Sequence, residues 1–338
     1  MPRPATERTA VVAVGGNALT REGEAGTYAE QWRNATRTAL AICRLVKTGY
    51  RVILTHGNGP QVGSLSIQQE EGSRFVPPQP LSELVAMTQG ALGNLLSLAL
   101  RNASGGSLPV VALVTHVEVS TSDPAFRRPS KPIGPFFPKE VAEELAHSRQ
   151  WVVREDARRG FRRVVPSPDP KAIVEADAIR ELVALGFVVI AGGGGGVPVA
   201  RRGRRLAGVD AVIDKDMTAA TLASSVEADT LVFLTGVSQV YLDYGTPRQR
   251  PVAELTTAEA ERYLHEGQFA EGSMGPKVAA ALRFLSRGGR LCCITSTRWA
   301  TAAVAGSHGT RIVAPAVGPM AGEETAAQQP TAGATAAR

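Results

Sequence analysis

A short apolar, β-branched run that breaks at glycine recurs along this chain, and that repeat narrows the possible folds more than any other feature. Thr9–Val14 breaks at Gly15-Gly16-Asn17, and a helical pattern with Trp32, Ala35, Ala39, Ile42 and Val46 on one side follows. Arg51–His56 breaks at Gly57-Asn58-Gly59, and Pro60 is placed to open another helix. Phe187–Ile190 runs into five glycines, Gly192–Gly196, and Thr230–Thr235 into Gly236-Val237. Runs this short with no polar face are strands buried on both sides, as in parallel sheets covered by helices. The chain is therefore predicted to be α/β, an open three-layer α/β/α sandwich around one mostly parallel sheet. The five glycines do not read as a linker, because a strand-like run resumes at once at Val197. They predict close approach to a ligand or to a neighbouring loop.

Between Ser122 and about Pro170 the alternation lapses and prolines gather around Lys131-Pro-Ile-Gly-Pro-Phe-Phe137, with short strands expected at Trp151–Arg154 and Phe161–Val165. This segment reads as an inserted, small protruding subdomain, either a stiff loop alone or a stiff but movable flap that carries Lys131. With 338 residues, two lobes or one large α/β domain are expected; as lobes they fall at 10–210 and 211–317, after a flexible lead at 1–9 and before a disordered, low-complexity tail at 318–338. A helix at 82–100 is apolar on more than one side, which suits a position between the core and a partner subunit, with Met87 as core filler. A further helix is expected at 171–185.

No apolar stretch approaches the ~18–20 residues of a membrane span, and the opening residues carry no secretory apolar segment. Cys43, Cys292 and Cys293 form neither a disulfide framework nor a C-x-x-C pair, so a reducing cytoplasm is expected. The net charge is +6, with basic clusters at Arg158-Arg159, Arg162-Arg163, Arg201-Arg202 and Arg204-Arg205. They lack interleaved aromatics and any nucleic-acid motif, so they read as a solvated face or an attraction to anionic metabolites. Neither nucleic acid nor a membrane is an expected partner. His56 and His308 read as loop-packing residues.

Of 37 basic residues only six are lysines. Where arginine is the default cation, a lysine marks a place for a compact ammonium charge. Lys215 follows Asp214, a good N-cap, at the start of a helical pattern running to Val226. A cation there faces the positive end of the helix dipole, and a bound anion reverses that penalty. Lys277 repeats the arrangement at Ser273-Met-Gly-Pro-Lys277, with Pro276 suited to the first helical position. Two lysines at two helix starts point to two arms closing on one anion. Gly57–Gly63 is one residue too long for a dinucleotide fingerprint, and no Walker A sequence occurs. A phosphate would be cradled by glycine-loop N–H groups, helix N-termini and lysines.

Several segments together resemble the carbamate kinases of the amino-acid kinase superfamily: Gly15-Gly-Asn-Ala18, His56–Gly63, Lys131–Pro135, Val164–Pro168, the glycine run, Ala211–Asp216 and Gly272–Lys277. The resemblance spans roughly Thr9–Val313 and keeps the segments in order. It implies a homodimer that transfers phosphoryl reversibly between ATP and carbamate, with Mg²⁺, in the cytoplasm. It also implies residue roles. Gly15, Gly16, Asn17, Gly57, Asn58 and Gly59 would hold the carbamoyl and transferred phosphoryl groups in the N-terminal lobe. Lys131, Lys215 and Lys277 would neutralise phosphate oxygens, with Asp214 and Asp216 holding the lysines. Thr235, Gly236, Val237, Tyr241, Met274, Gly275 and Pro276 would take the nucleotide in the C-terminal lobe. Mg²⁺ would ride mainly on the nucleotide phosphates, with Asp216 the candidate side chain beside it.

The chain departs from the family pattern at Ser238, where an acid is common, at Arg158, and at Thr297-Arg298-Trp299. Arg298 and Trp299 read as surface substitutions. Two other readings stand beside the first: an acyl-phosphate kinase of the same fold, such as an acetylglutamate kinase, or a non-catalytic sensor of carbamoyl phosphate or nucleotide.

Overall fold

A computed structural model describes residues 8–15, 19–21, 23–156, 160–270 and 272–314. Gly16, Asn17, Arg158, Arg159, most of the lead and the tail lie outside the described residues.

The chain opens with β1 (Thr9–Val14), α1 (Tyr28–Lys47), β2 (Arg51–His56), α2 (Gly59–Gly72) and α3 (Leu81–Ala103). Next come β3 (Val110–Ala112), β4 (His116–Glu118), β5 (Lys131–Phe137), α4 (Lys139–Arg149), β6 (Val153–Glu155) and β7 (Phe161–Val165). The middle continues with β8 (Ala172–Ile173), α5 (Ala176–Ala184), β9 (Val188–Ile190), β10 (Val197–Arg202) and β11 (Arg205–Gly208). The last third holds α6 (Lys215–Ser225), β12 (Thr230–Thr235), β13 (Val240–Leu242), β14 (Arg250–Val252), β15 (Glu254–Thr256) and α7 (Thr257–His265). It closes with α8 (Met274–Ser286), β16 (Leu291–Ser296), α9 (Ala300–Val304) and β17 (Thr310–Val313).

Eight strands form the main sheet in the order β15-β17-β16-β12-β1-β2-β9-β3. Every neighbouring pair is parallel except β16 with β17. The apolar runs supply both faces at once. Val11, Ala13, Ile53, Leu231 and Phe233 point into one core, and Ala10, Val12, Val14, Leu54, Val232 and Leu234 into the other. That period of two explains why the runs show no polar side. It also separates the adjacent cysteines, since Cys292 enters one core and Cys293 the other. Helix α1 is held at its start by a capping box, in which Thr27 and Glu30 satisfy each other's backbone N–H groups, worth about 1 kcal/mol.

Three expectations are corrected. The second half of the glycine-rich region does not join the main sheet; β10 lies in a separate four-stranded sheet, β11-β10-β4-β8. Sequence alternation reads strand faces but not strand partners. The helix expected at 171–185 is shorter, because residues 172–173 pair with β4 first. Met87 is not core filler. It is 47% exposed, and Leu98 is 43% exposed, while Leu84, Val85, Leu92, Leu95 and Leu96 face inward.

The predicted protruding segment contains a three-stranded antiparallel sheet, β5-β7-β6, with α4 beside it. It packs on α2 rather than on the main sheet.

Candidate active site

In a parallel sheet all strands end at one edge, and every loop after a strand collects there. Gly15 follows β1, Gly57 follows β2, Gly192 follows β9 after one residue, and Gly236 follows β12. The order of strands reverses at β1, which lies between β2 and β12, so the crevice opens beside it. Helices α6 and α8 each precede a parallel strand, so their N-termini point at the same edge.

Asp214 caps α6 as expected, accepting from the amides of Asp216 at 2.9 Å and Met217 at 3.3 Å through Oδ1. Its other oxygen, Oδ2, accepts from Lys131 Nζ at 2.5 Å. Lys215 is the first helical residue and is paired with Asp216 Oδ1. Lys277 Nζ reaches the remaining oxygen, Asp216 Oδ2, at 3.1 Å and donates to Ser273 O at 3.0 Å. Two aspartates two residues apart thus gather three lysines from the subdomain, α6 and α8. Asp216 is 4% exposed and Lys277 8%.

Burial opposes ionisation of both carboxyls, yet their partners win. Lys131, then Lys215 and the Asp216 amide, hold Asp214 well below the usual carboxylate range. Lys215 and Lys277 lower the pKa of Asp216, against burial and the repulsion of Asp214. Lys131 is raised, burial notwithstanding, by Asp214 and Asp216. Lys277 is lowered, by burial first and then by the neighbouring Lys215. Three ammonium groups against two carboxylates leave a surplus positive charge at a helix N-terminus, a place ready for an anion.

Lys277 arrives differently from the sequence expectation. Helix α8 starts at Met274, so Pro276 is its third residue, not its first, and Lys277 its fourth. Proline is tolerated there because the first-turn N–H groups have no intrahelical partner anyway.

The glycine loops are also used differently. The Gly15 amide donates to Leu234 O at 3.0 Å and the Gly57 amide to Val14 O at 3.1 Å. Both extend parallel ladders by one bond and so fix the loops instead of facing an anion. Among the described residues, the amides of Asn58 and Gly59, at the N-terminus of α2, have no such partner. The Asn58 side chain is buried and donates to Thr88 Oγ1 at 2.9 Å.

The five-glycine run threads between this loop and the acid pair. A Cβ at Gly194 would stand 2.2 Å from Asn58 Nδ2, and one at Gly195 would stand 2.3 Å from Ile213 O, next to Asp214. Gly193 likewise presses on the His56 ring. His56 is buried, donates through Nδ1 to Gly57 O at 3.1 Å, and is pushed by burial down to about 4, so it stays neutral and packs the loop. Gly59 faces Pro132 O, which brings the subdomain over the start of α2.

Thr235 ends β12 beside Ser296 of β16, and Gly236 and Val237 continue into the same edge. Met274, Gly275 and Pro276 form the first turn of α8. Tyr241 lies on β13, its ring tilted against that of Tyr244 at 6.1 Å between centroids. Arg298 is exposed and lies 4.8 Å over Trp299, which in turn packs 4.2 Å from His308. Ser238 contributes a carbonyl to Thr295 Oγ1 at 3.1 Å.

Arg162-Arg163 is not the solvated face expected of it. Arg162 pairs with Asp156 at 3.0 Å inside the subdomain, and Arg163 with Glu70 at 3.2 Å at the joint between subdomain and α2. Glu70 and Arg149 at that joint drew no attention in the sequence, and Trp151 only as the start of a short strand; the spacing Gly63, Ser66, Glu70 on one helix face was the available signal. Among the described residues no group of three His, Cys, Asp or Glu could hold a metal ion.

Residues 8–296 match the model of the amino acid kinase family. The chain is 48% identical to a carbamate kinase of Thermococcus kodakarensis over 90% of its own length and 98% of that protein's. It is 45% identical to one of Trichomonas vaginalis, with the same coverage. Among solved structures it is similar to a Giardia lamblia carbamate kinase bound to AMP-PNP, with a TM-score of 0.83 and 40% identity over 91% of this chain and 98% of that one. With its strands, glycine loops and lysine–aspartate cluster in one order, the chain belongs to the amino acid kinase family and groups there with the carbamate kinases.

Proposed function

We propose that the protein catalyses reversible phosphoryl transfer between ATP and carbamate, giving ADP and carbamoyl phosphate. The observation that carries this reading is the meeting of Lys131, Lys215 and Lys277 on Asp214 and Asp216 beside a glycine cradle. Carbamate attacks through an oxygen that is already anionic, so no general base is needed. A bond forms from that oxygen to the γ-phosphorus while the bond to the β-bridging oxygen breaks, and ADP leaves with the electron pair. The remaining work is to hold two mutually repelling anions in line and to balance charge spreading over the phosphoryl oxygens.

Lys215 and Lys277 neutralise phosphate oxygens from the core side, and Lys131 does so from the subdomain. Asn58 and Gly59 offer amides to the carbamoyl end. Thr235, Gly236, Val237, Tyr241 and the α8 turn at Met274–Pro276 receive the nucleotide. A divalent cation fits as a passenger on the nucleotide phosphates, since both oxygens of Asp216 are engaged by lysines. When bound, Mg²⁺ would supply positive charge to the nucleotide phosphates. The exposed Met87 and Leu98 on α3 support assembly of a homodimer through that helix. No helix among the described residues is long and apolar enough to cross a membrane, which is compatible with a cytoplasmic enzyme.

The test is ATP formation from ADP and carbamoyl phosphate with Mg²⁺, beside ATP consumption with N-acetylglutamate. Rapid ATP formation and no response to N-acetylglutamate are expected. The reverse pattern would identify an acetylglutamate-type kinase, and binding without turnover in either assay a sensor.

A further inference from the structure

We propose that Glu70 is a positioning residue for this site, clamping the protruding subdomain on α2 so that Lys131 stands at Asp214. The inference rests on the carbamate-kinase reading and extends it to a residue remote from the reacting atoms.

Helix α2 starts in the cradle at Gly59 and turns one face, Gly63-Ser66-Glu70, toward the subdomain. At Gly63 the approach is so close that a Cβ would lie 1.9 Å from Gly134 on β5. At the far end Glu70 receives three donors from separate parts of the subdomain. Arg149 Nη1, at the end of α4, donates to Oε2 at 2.6 Å. Trp151 Nε1 and Arg163 Nη1 of β7 both donate to Oε1 at 3.2 Å. Arg163 also holds Ser66 Oγ at 2.8 Å, and Arg149 holds Glu71 at 2.6 Å. Both guanidinium groups lie on the Trp151 ring, at 5.6 and 4.8 Å.

The contact of Gly63 with Gly134 is a pivot. On one side of it Lys131 lies three strand residues away, ~10 Å. On the other, Glu70 lies seven helical residues away, also ~10 Å. The two arms are equal, so a slip of 1 Å at the Glu70 end becomes about 1 Å at the lysine, enough to lower turnover up to about 10²-fold. The glycine contact and the burial of Ile133 with Val62 fix the distance at the pivot, while the far end of α2 is held by polar bonds. A carboxylate bound by two guanidinium groups and an indole fixes the tilt.

The experiment is a double-mutant cycle on the full chain, reading ATP formation from carbamoyl phosphate, ADP affinity and thermal midpoint. Glu70→Ala is expected to lower kcat/KM for carbamoyl phosphate about tenfold and to leave ADP affinity within about twofold. Glu70→Gln keeps an acceptor oxygen for Arg163 and Trp151 and recovers part of the loss; it carries the cycle if Glu70→Ala does not fold. In a Lys131→Ala background either change at Glu70 is expected to have no further effect on turnover. Full activity in both Glu70 variants, or an undiminished loss in the Lys131→Ala background, overturns the proposal. If Lys131→Ala alone keeps normal turnover, the functional reading fails as well, and the two failures are thereby told apart.

Discussion

The two sides of the lysine cluster are held with different shares of apolar and polar contact. Lys215 and Lys277 grow from helices whose inner faces are core: Thr218, Ala219, Ala220 and Leu222 on α6, and Val278, Ala281 and Phe284 on α8, are all buried. Lys131 is carried by a small antiparallel sheet that gives two side chains, Ile133 and Val165, to a buried apolar cluster shared with Val62 of α2, and is otherwise held by a glycine contact and polar bonds. Apolar packing of the first kind is lost only with the fold, whereas ion pairs and hydrogen bonds can open locally. A phosphoryl-transfer enzyme needs both: a fixed charge for the nucleotide, and a movable one that closes the cleft and lets product leave.

The comparison is broken most directly at the lysines. Lys277→Ala or Lys215→Ala is expected to lower kcat by about 10³-fold and to weaken ADP binding, while circular dichroism reports a native fold. Lys131→Ala should lose about 10²-fold in turnover yet bind ADP normally by calorimetry. Equal loss of ADP affinity on both sides would erase the distinction. Gly63→Ala sharpens it further. The added methyl meets backbone, which cannot swing aside, so a stability loss of about 1–3 kcal/mol in urea unfolding should accompany mispositioning of Lys131. Adding the same methyl at Gly59, where the nearest atom is 3.9 Å away, should leave stability within about 0.5 kcal/mol.

The smallest effect concerns acid. Asp214 has a folded pKa below its unfolded value near 3.9, so the unfolded chain binds the extra proton first. Its contribution is complete above about pH 4 and fades as pH falls toward the lowered folded pKa. The thermal midpoint should therefore drop less steeply between pH 5 and pH 3, roughly, in Asp214→Asn than in the parent chain. A parallel drop would mean that Asp214 is not ionised against Lys131.

Much of this was legible locally. Asp214 caps its own helix two and three residues on, and Pro60 stands at the start of α2, because such contacts depend only on neighbours in the chain. The glycine run announced close approach, and its partners prove to be His56, Asn58 and Ile213. Other features were misread for a physical reason. The amides of Gly15 and Gly57 were expected to be donors to an anion, but a strand end adjacent to another strand completes a ladder first. Arg163 looked like part of a solvated cluster, since nothing local says that Glu70 will face it.

The sequence by itself determined the strands buried on both faces, the helices between them and the anion-ready helix starts, all set by residue spacing and short-range hydrogen bonding. Only the tertiary structure decided which charges meet. Lys131 and Asp214 are 83 residues apart, and Lys277 and Asp216 are 61 apart. Pairing over such separations follows from sheet order and from the seating of one sheet on one helix, which depend on the packing of the whole chain and not on any stretch of it.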